Sequence, residues 1–552
     1  MFLQIPEKIA IMKAKKVGGK LMKKYLAMLL TVAVLLSLIT ACGEKEKETE
    51  ELEESEKSEK TEETTAPEPE MEKEVSAIEL QYYYVDGINS FYNQFADSYG
   101  DNADVYLKVI YGLDSSLPLN QQYTDETKTE TWADYFVRGA IAQAENDYAM
   151  SNLAKSEKFE LSESSKSTID SSVSMLETYA AIYGYENASQ YLSAIYGNGA
   201  TLRSYKEYYE RSLLASEYYT AHADTFVYTD EQRDAYQADK MATFNSYSYT
   251  SCYLTYTDFR VGTTTDGRTT YSDAQNEEGR RKMAEYAEKL KLEITNKADL
   301  EEAIKTAPVA SGKSLSVTEE TNVLYSDVRN AGLRSWLADA TRRSGDFAVI
   351  PDESIATNAD GVETTVVDGY YVVIFDGVSD NEVAMADIGY IFVPYKGGVE
   401  DEETGEIIYG TDDVNEARVT AENCWQQWLG GERTAASFET LKDDLLNKNT
   451  VSAGDMVENL NPNSPFSSQI IDWALDSRRT SCESTIIQTD EGFYILLYVG
   501  KSALTYRQYL IDQEMRAQDY QKWYEDALAT VDFSNVDTSN LDKAVIIKPG
   551  LN

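Results

Sequence analysis

At 552 residues, with 42% hydrophobic and 26% charged residues, the chain has the length of about three or four domains and the balance of a globular protein. Its 95 Asp and Glu against 50 Lys and Arg give a net charge of −45, which excludes nucleic acid and anionic lipid as main electrostatic partners. The single histidine, His222, excludes most histidine metal sites and any Ser-His-Asp or Cys-His pair built elsewhere, and four cysteines without a CxxC exclude a disulfide scaffold.

Residues 26–39 (LAMLLTVAVLLSLI) form the only long apolar run, with Lys23 and Lys24 before it and small residues ahead of Cys42. This pattern predicts a secretory signal over residues 1–42. The run is short of the roughly 20 residues of a membrane span, although a plain anchor helix is the alternative. Ile39-Thr40-Ala41-Cys42 resembles the bacterial lipobox. That resemblance implies cleavage before Cys42 and lipidation of its thiol and new amine, anchoring the chain on the extracytoplasmic face of the cell membrane. Met22-Lys23-Lys24 is itself a normal signal beginning, and Gly18-Gly19 lies two codons upstream, where GGA-GGA would read as a ribosome-binding site. Met22 is therefore the expected true start.

Residues 43–74 hold 15 Glu and 5 Lys, no aromatic residue, and only Leu52 and Met71 as sizeable apolar side chains. Such a segment cannot bury enough surface to offset chain entropy, so residues 43–76 are expected to be a disordered acidic tether. Most of the net charge still falls on the part beyond it.

Residues 77–245 read as helical. Ile169, Val173, Leu176, Tyr179, Ala180 and Tyr183 recur at three- and four-residue spacing. Breaks are expected at Gly112, Gly184 and Gly197-Asn198-Gly199, and Thr229-Asp230-Glu231-Gln232 looks like a capped helix start. The texture then changes. Residues 247–256 are β-branched and aromatic with a period near two, predicting a strand. A helix over 275–293, a second from Lys297 or Ala298, and a buried strand over 369–375 follow. The same order returns as a strand at 387–393, helices at 414–429 and 435–446, and a strand at 492–498.

Trp336-x-x-Asp339 with Arg342-Arg343 is echoed by Trp473-x-x-Asp476 with Arg478-Arg479, and GYYVVIF by GFYILLY. The stretches 246–381 and 382–501 therefore read as divergent repeats. From Trp to the closing Gly is 33 residues in the first and 19 in the second, which places an insertion near 353–366. Residues 502–530 predict a last helix with no repeat partner, completing the helical domain as 502–535, with a tail over 536–552.

A lipobox, an acidic tether, a helical region, βαα…β repeats and a final helix together resemble the PrsA/SurA group of extracytoplasmic foldases. Tyr111-Gly112-Leu113-Asp114 to Pro118-Leu119, then Thr131-Trp132-Ala133-Asp134-Tyr135-Phe136, looks like the chaperone-domain opening of clostridial members. Tyr196-Gly197-Asn198-Gly199 with Tyr205-Lys206 looks like its later helices. The resemblance implies an α+β multidomain chain. A mainly helical SurA-like chaperone domain would carry two inserted, degenerate parvulin-like α+β domains. Active parvulins place histidines in the first and closing strands. Here the corresponding positions fall on Tyr253 and Tyr371 in the first repeat and on Tyr390 and Tyr494 in the second. Tyrosine hydrogen-bonds but titrates near about 10, so it does not copy an imidazole. Each repeat is then either a client-binding wall, or a pocket that twists and desolvates an X-Pro bond without acid–base chemistry. The barrier to lower is about 18–20 kcal/mol.

Other candidates read as structural. His222 is a helix-surface or packed side chain. Cys252 and Cys424 are small apolar fillers, and Cys482 lies in a turn-like stretch. The acidic run 400–406 lacks the spaced ligands of a calcium loop and reads as a hairpin tip. The two Arg pairs clamp acidic clients or pair with local carboxylates. No P-loop or GxGxxG in strand–helix context occurs, so neither cofactor nor metal is expected. The leading expectation is a lipid-anchored, ATP-independent chaperone or foldase for unfolded or nascent secreted polypeptides, joined to the membrane through Cys42. An active peptidyl-prolyl isomerase and a glycan- or peptide-binding lipoprotein are the alternatives.

Overall fold

The computed structural model describes residues 72–547 apart from 126, 224, 266–267, 358–362 and 401–406. The expected signal, Met22, Cys42 and tether residues 43–71 lie outside the described residues. No helix among the described residues is long and apolar enough to cross a membrane. The chain is mixed α+β and divides into two compact units, Met1–Val227 with Arg516–Asn552, and Tyr228–Met515.

The first unit is helical. Ser76 caps α1 (Ala77–Tyr99), its Oγ accepting from Glu79 N at 3.2 Å. Six consecutive residues of α1, Leu80 to Val85, are buried. Burial on every side makes α1 the central helix, not one surface stripe. Against it pack α2 (Ala103–Tyr111), α3 (Trp132–Ser156), α5 (Ala188–Tyr196) and α6 (Leu202–Ala223), while α4 (Glu163–Ile182) packs on α5 and α6. Gly112 ends α2 at φ 66°, the left-handed conformation a glycine reaches without strain. The tyrosines fill this core with their rings and tie their hydroxyls to the buried Asp147 and the half-buried Asp86. Tyr83 donates to Asp147 at 3.0 Å, and Tyr196 and Tyr208 donate to Asp86 at 2.8 and 2.9 Å.

Both ends of the helical unit differ from the sequence reading. Glu72, expected in the tether, accepts from Lys155 and Arg211 at 2.6 and 2.7 Å, and its backbone N donates to Asn152. Glu72 therefore belongs to the helical unit, because α3 and α6 supply partners that the charged run cannot announce. Residues expected as tail also pack inward. Leu541 and Ile547 join the core that takes in Ala527, Val531 and Phe533, and Leu119 N donates to Val545 O at 3.1 Å.

The second unit opens with α7 (Asp230–Gln237), started by the Thr229/Gln232 capping box. Then come β1 (Ser246–Thr255), the single turn α8 (Tyr256–Phe259), the hairpin β2 (Thr263–Thr265) and β3 (Arg268–Thr270), α9 (Asp273–Glu293), α10 (Lys297–Lys305), β4 (Thr318–Leu324), α11 (Ala331–Leu337), β5 (Phe347–Thr357) and β6 (Glu363–Ser379). The pattern repeats as β7 (Ala384–Pro394), the hairpin β8 (Val399–Glu400) and β9 (Ile407–Ile408), α12 (Thr411–Leu429), α13 (Ala435–Asn447), β10 (Ala453–Leu460), α14 (Ser468–Ala474), β11 (Ser484–Gln488) and β12 (Gly492–Thr505). Helix α15 (Tyr506–Leu528) follows; its first ten residues belong to this unit and the rest to the helical one.

The two sheets are antiparallel throughout and share one topology, β4-β1-β6-β5 and β10-β7-β12-β11. The length difference between them lies in the first copy's β5–β6 hairpin, which stays paired out to Thr357 and Glu363. Residues 502–505, expected to begin the last helix, instead continue β12, which pairs Thr505 with Ala384. Residues 228–245, grouped by sequence with the helices, pack with the second unit, where Arg507 binds Gln237, Asn245 and the Met241 carbonyl.

Candidate functional site

Alternation along the strands gives each sheet two faces. In the first repeat Cys252, Leu254, Val372 and Ile374 pack under α9 and α10. Tyr247, Tyr249, Val373 and Phe375 face the opposite way, toward Leu333 and Leu337 of the short α11. Tyr371 belongs to this second face, and Tyr253, two residues beyond Ser251, continues it. The Tyr253 and Tyr371 rings meet across the strands at 4.7 Å between centroids. Tyr253 Oη donates to Asp352 Oδ2 at 2.6 Å, and Asn330 Nδ2 donates to Asp352 Oδ1 at 2.9 Å. Asn330 is fixed in turn, because its Oδ1 caps α11 through Leu333 N at 2.8 Å. Gly369 leaves the space in which Tyr253 lies, since a Cβ there would stand 2.3 Å from its Oη.

The second repeat builds the same face with rings in place of that polar network. Tyr390 and Tyr494 are half-buried with centroids 5.8 Å apart. Phe392 lies 4.6 Å from Tyr494, and Phe466, from the loop before α14, packs edge-on to Tyr390 at 5.5 Å.

The sequence equated Tyr253 with Tyr390, and the strand register corrects this. Tyr371 and Tyr494 hold the same place in the echoed strand motif. Tyr371 pairs with Tyr253, but Tyr494 pairs with Phe392. Tyr390 instead faces Leu496, as Ser251 faces Val373. A two-residue offset keeps a side chain on the same face, so composition alone could not detect it. Sequence reasoning also missed Asp352, Asn330, Phe392 and Phe466. Phe392 was findable by laying the two closing strands over each other. Asp352 and Asn330 carry no local signal, because Asp352 reaches Tyr253 only through the β5–β6 pairing and Asn330 joins only through Asp352.

Burial raises all four tyrosines above the ordinary phenol range. Asp352 adds to this at Tyr253 and Tyr371, Asp455 at Tyr390, and the neighbouring phenol Tyr390 at Tyr494. All four are therefore neutral hydrogen-bond donors near neutral pH. The faces can bind, desolvate and hydrogen-bond a peptide, but these phenols cannot exchange a proton there.

The remaining candidates pack locally. Cys252 is buried and its thiol is pushed up to about 12 by desolvation; Cys424 is buried and raised for the same reason; Cys482 is half-buried in a left-handed turn at φ 64°. His222 stacks on Trp523 at 4.0 Å, and burial lowers its pKa. Arg342 lies over Trp336 and donates to that residue's carbonyl, and Arg479 does the same at Trp473. Arg342 also pairs with Asp339, Arg478 with Asp476 and Arg479 with Glu483. Of the acidic run, Glu400 pairs with Ile407 between β8 and β9, and 401–406 lie outside the described residues. Among the described residues no group of three or more His, Cys, Asp or Glu is placed to hold a metal ion.

A comparison with protein-family models finds no match, and a comparison with curated proteins likewise finds none.

Proposed function

We propose that the protein is an ATP-independent chaperone or foldase of the PrsA/SurA type. It is lipid-anchored through Cys42 on the extracytoplasmic face of the cell membrane and acts on unfolded or nascent secreted polypeptides. The observation that carries this reading is the pair of sheets with one topology, each keeping a half-buried aromatic face beside a short helix. The βαα…β order of the two repeats is the order expected of degenerate parvulin-like domains. Their place in the chain, between the opening helices and a helix whose far half joins the same helical core, supports this reading.

Client capture needs no imidazole. Half-buried rings offer apolar contact of modest strength, so a segment is held and released without nucleotide. The strong negative charge favours basic or neutral clients and keeps loaded complexes soluble. Suppression of the aggregation of a client whose folding is not proline-limited tests the reading; its absence at excess protein rejects it. The second reading, peptidyl-prolyl isomerase activity, is favoured in the second repeat by its compact connection from Gln488 to Gly492. It predicts acceleration of a proline-limited refolding phase, lost on Tyr494→Leu.

A further inference from the structure

An edge strand carries a row of unpaired main-chain N–H and C=O groups that another chain can adopt unless something blunts it. Three of the four edges in the two repeats are blunted. β4 holds Glu319 and Glu320 and a bulge at Asn322, φ 55°. β10 holds Asp455 and Glu458 and a bulge at Asn459, φ 58°. β5 holds Pro351, Asp352 and Glu353. β11, Ser484-Thr485-Ile486-Ile487-Gln488, has no charge and no proline and keeps an unbroken register with β12. Thr489 N donates to Gly492 O and Tyr498 N to Glu483 O, each at 2.8 Å. The odd-numbered residues between them therefore exchange hydrogen bonds with β12, and the main chain of Ser484, Ile486 and Gln488 points away from it. β11 is the last strand of its sheet, and among the described residues no partner meets that row. A groove of about 520 Å³ lies along it, lined by Gln469 of α14 and by Ile486, Ile487, Gln488, Thr489 and Asp490. The two repeats differ most sharply at one position. Pro351 pairs with Tyr370 and Gln488 with Phe493, each of these being the residue after the glycine of the echoed strand motif. The first repeat thus fills the place of Gln488 with a residue that has no N–H to offer.

The main chain defines the occupant. Outward N–H and C=O groups at every second residue are matched by an extended chain, which supplies the complementary row, whereas a helix already pairs its own groups. The side chains of β11 serve both faces of the sheet. Ile486 packs with the core under α12 and α13, and Ile487 packs on the aromatic face with Tyr494. An added strand would continue both faces, laying alternate side chains beside Ile487 and beside Ile486. The net charge of −45 opposes a second copy of this chain as the occupant. We infer that β11 takes up an extended segment of non-native polypeptide, rich in β-branched and aromatic residues, as a fifth strand of the second repeat. The inference rests on the chaperone reading for the origin of the segment, but the strand pairing itself does not.

The test uses the full chain and a labelled peptide of alternating Thr and Val closed by Lys at both ends, read by fluorescence anisotropy. Two further peptides carry N-methyl groups, one at every Thr and the other at every Val. Only one of these sets can face β11, so one methylated peptide loses about tenfold or more in affinity and the other binds as the parent does. Gln488→Pro removes one outward N–H, copies the first repeat, and lowers parent binding about tenfold. Gln488→Ala gives up the same side-chain bond to Tyr395 but keeps the N–H, and leaves binding intact. Should Gln488→Pro disturb the fold, the methylated pair on the wild type still decides. Equal binding of the two methylated peptides, no binding of the parent, or a folded Gln488→Pro variant that binds as the wild type does overturns the proposal. So does self-association of the wild type that Gln488→Pro abolishes, which would assign the edge to a second copy. If the peptides behave as expected but the wild type suppresses no aggregation, the chaperone reading fails and the strand pairing stands. If wild type and Gln488→Pro suppress aggregation equally and neither binds the parent peptide, the pairing fails and the chaperone reading stands.

Discussion

Arg233 grips Asp512 through two parallel hydrogen bonds, Nε to Oδ1 at 2.7 Å and Nη2 to Oδ2 at 2.9 Å, although 279 residues separate them in sequence. Both side chains are less than a tenth exposed. The pair fastens α7 to the start of α15 and accounts for the grouping of residues 228–245 with the sheets. Removing Arg233 strands the Asp512 carboxylate in a buried place, whereas removing Asp512 leaves Arg233 only its bond to the exposed Asp230. Arg233→Ala or Asp512→Ala is expected to destabilise the second unit by about 3–5 kcal/mol. Arg233→Lys loses the planar fork and recovers only part of this. Denaturant unfolding of the three variants measures the difference, and near-wild-type stability in Arg233→Ala would contradict it.

Asp86 is a half-buried carboxylate whose partners are the phenols of Tyr196 and Tyr208, not a cation, and desolvation raises its pKa from 3.8 to about 6. Native Asp86 therefore keeps its proton at a higher pH than the unfolded chain does. Its contribution to stability is fully present below about pH 4 and is lost as pH rises through about 6. The stability difference between wild type and Asp86→Asn should shift against the wild type across that window, by on the order of 3 kcal/mol, and stay level above it. A pH series of melting temperatures for the pair measures this, and parallel curves would exclude the effect.

Gly369 and Tyr253 make a second local test. An alanine Cβ at 369 would lie 2.3 Å from Tyr253 Oη and 2.7 Å from Leu254 O, so the ring must move and its bond to Asp352 must break. Gly369→Ala should cost about 1–3 kcal/mol. Tyr253→Phe, which removes only the hydrogen bond, should cost about 1 kcal/mol. Amide hydrogen exchange along β5 and β6 separates them: broad loss of protection is expected in the alanine variant and little in the phenylalanine one.

The four phenols raised by burial carry a prediction about chemistry. Any isomerase activity these faces possess should show no titration between about pH 5 and 8, since none of the four ionises there. A bell-shaped rate profile in that range would point to a group elsewhere.

Much of the architecture was legible because its signals are local. The Thr229/Gln232 box, the period near two at 247–255 and the echoed Trp-Asp-Arg-Arg motifs reappear as α7, β1 and the paired Arg-over-Trp packings. What escaped depends on contacts distant in sequence. Glu72 and the segment around Leu541 look like solvated chain until Arg211, Asn152 and the helical core are in place. The candidate site divided the same way. The closing-strand tyrosines were found from the motif echo. Asp352, Asn330 and the Tyr390/Phe392 offset required strand register, which a two-residue slip leaves invisible in an alternating pattern.

The most direct test of the whole account is light scattering of an aggregating client refolded with the full-length protein and no nucleotide, using a client whose folding has no proline-limited phase. The account predicts that scattering falls in proportion to added protein and is lost near a fixed molar ratio. Unchanged scattering at a several-fold excess would contradict it.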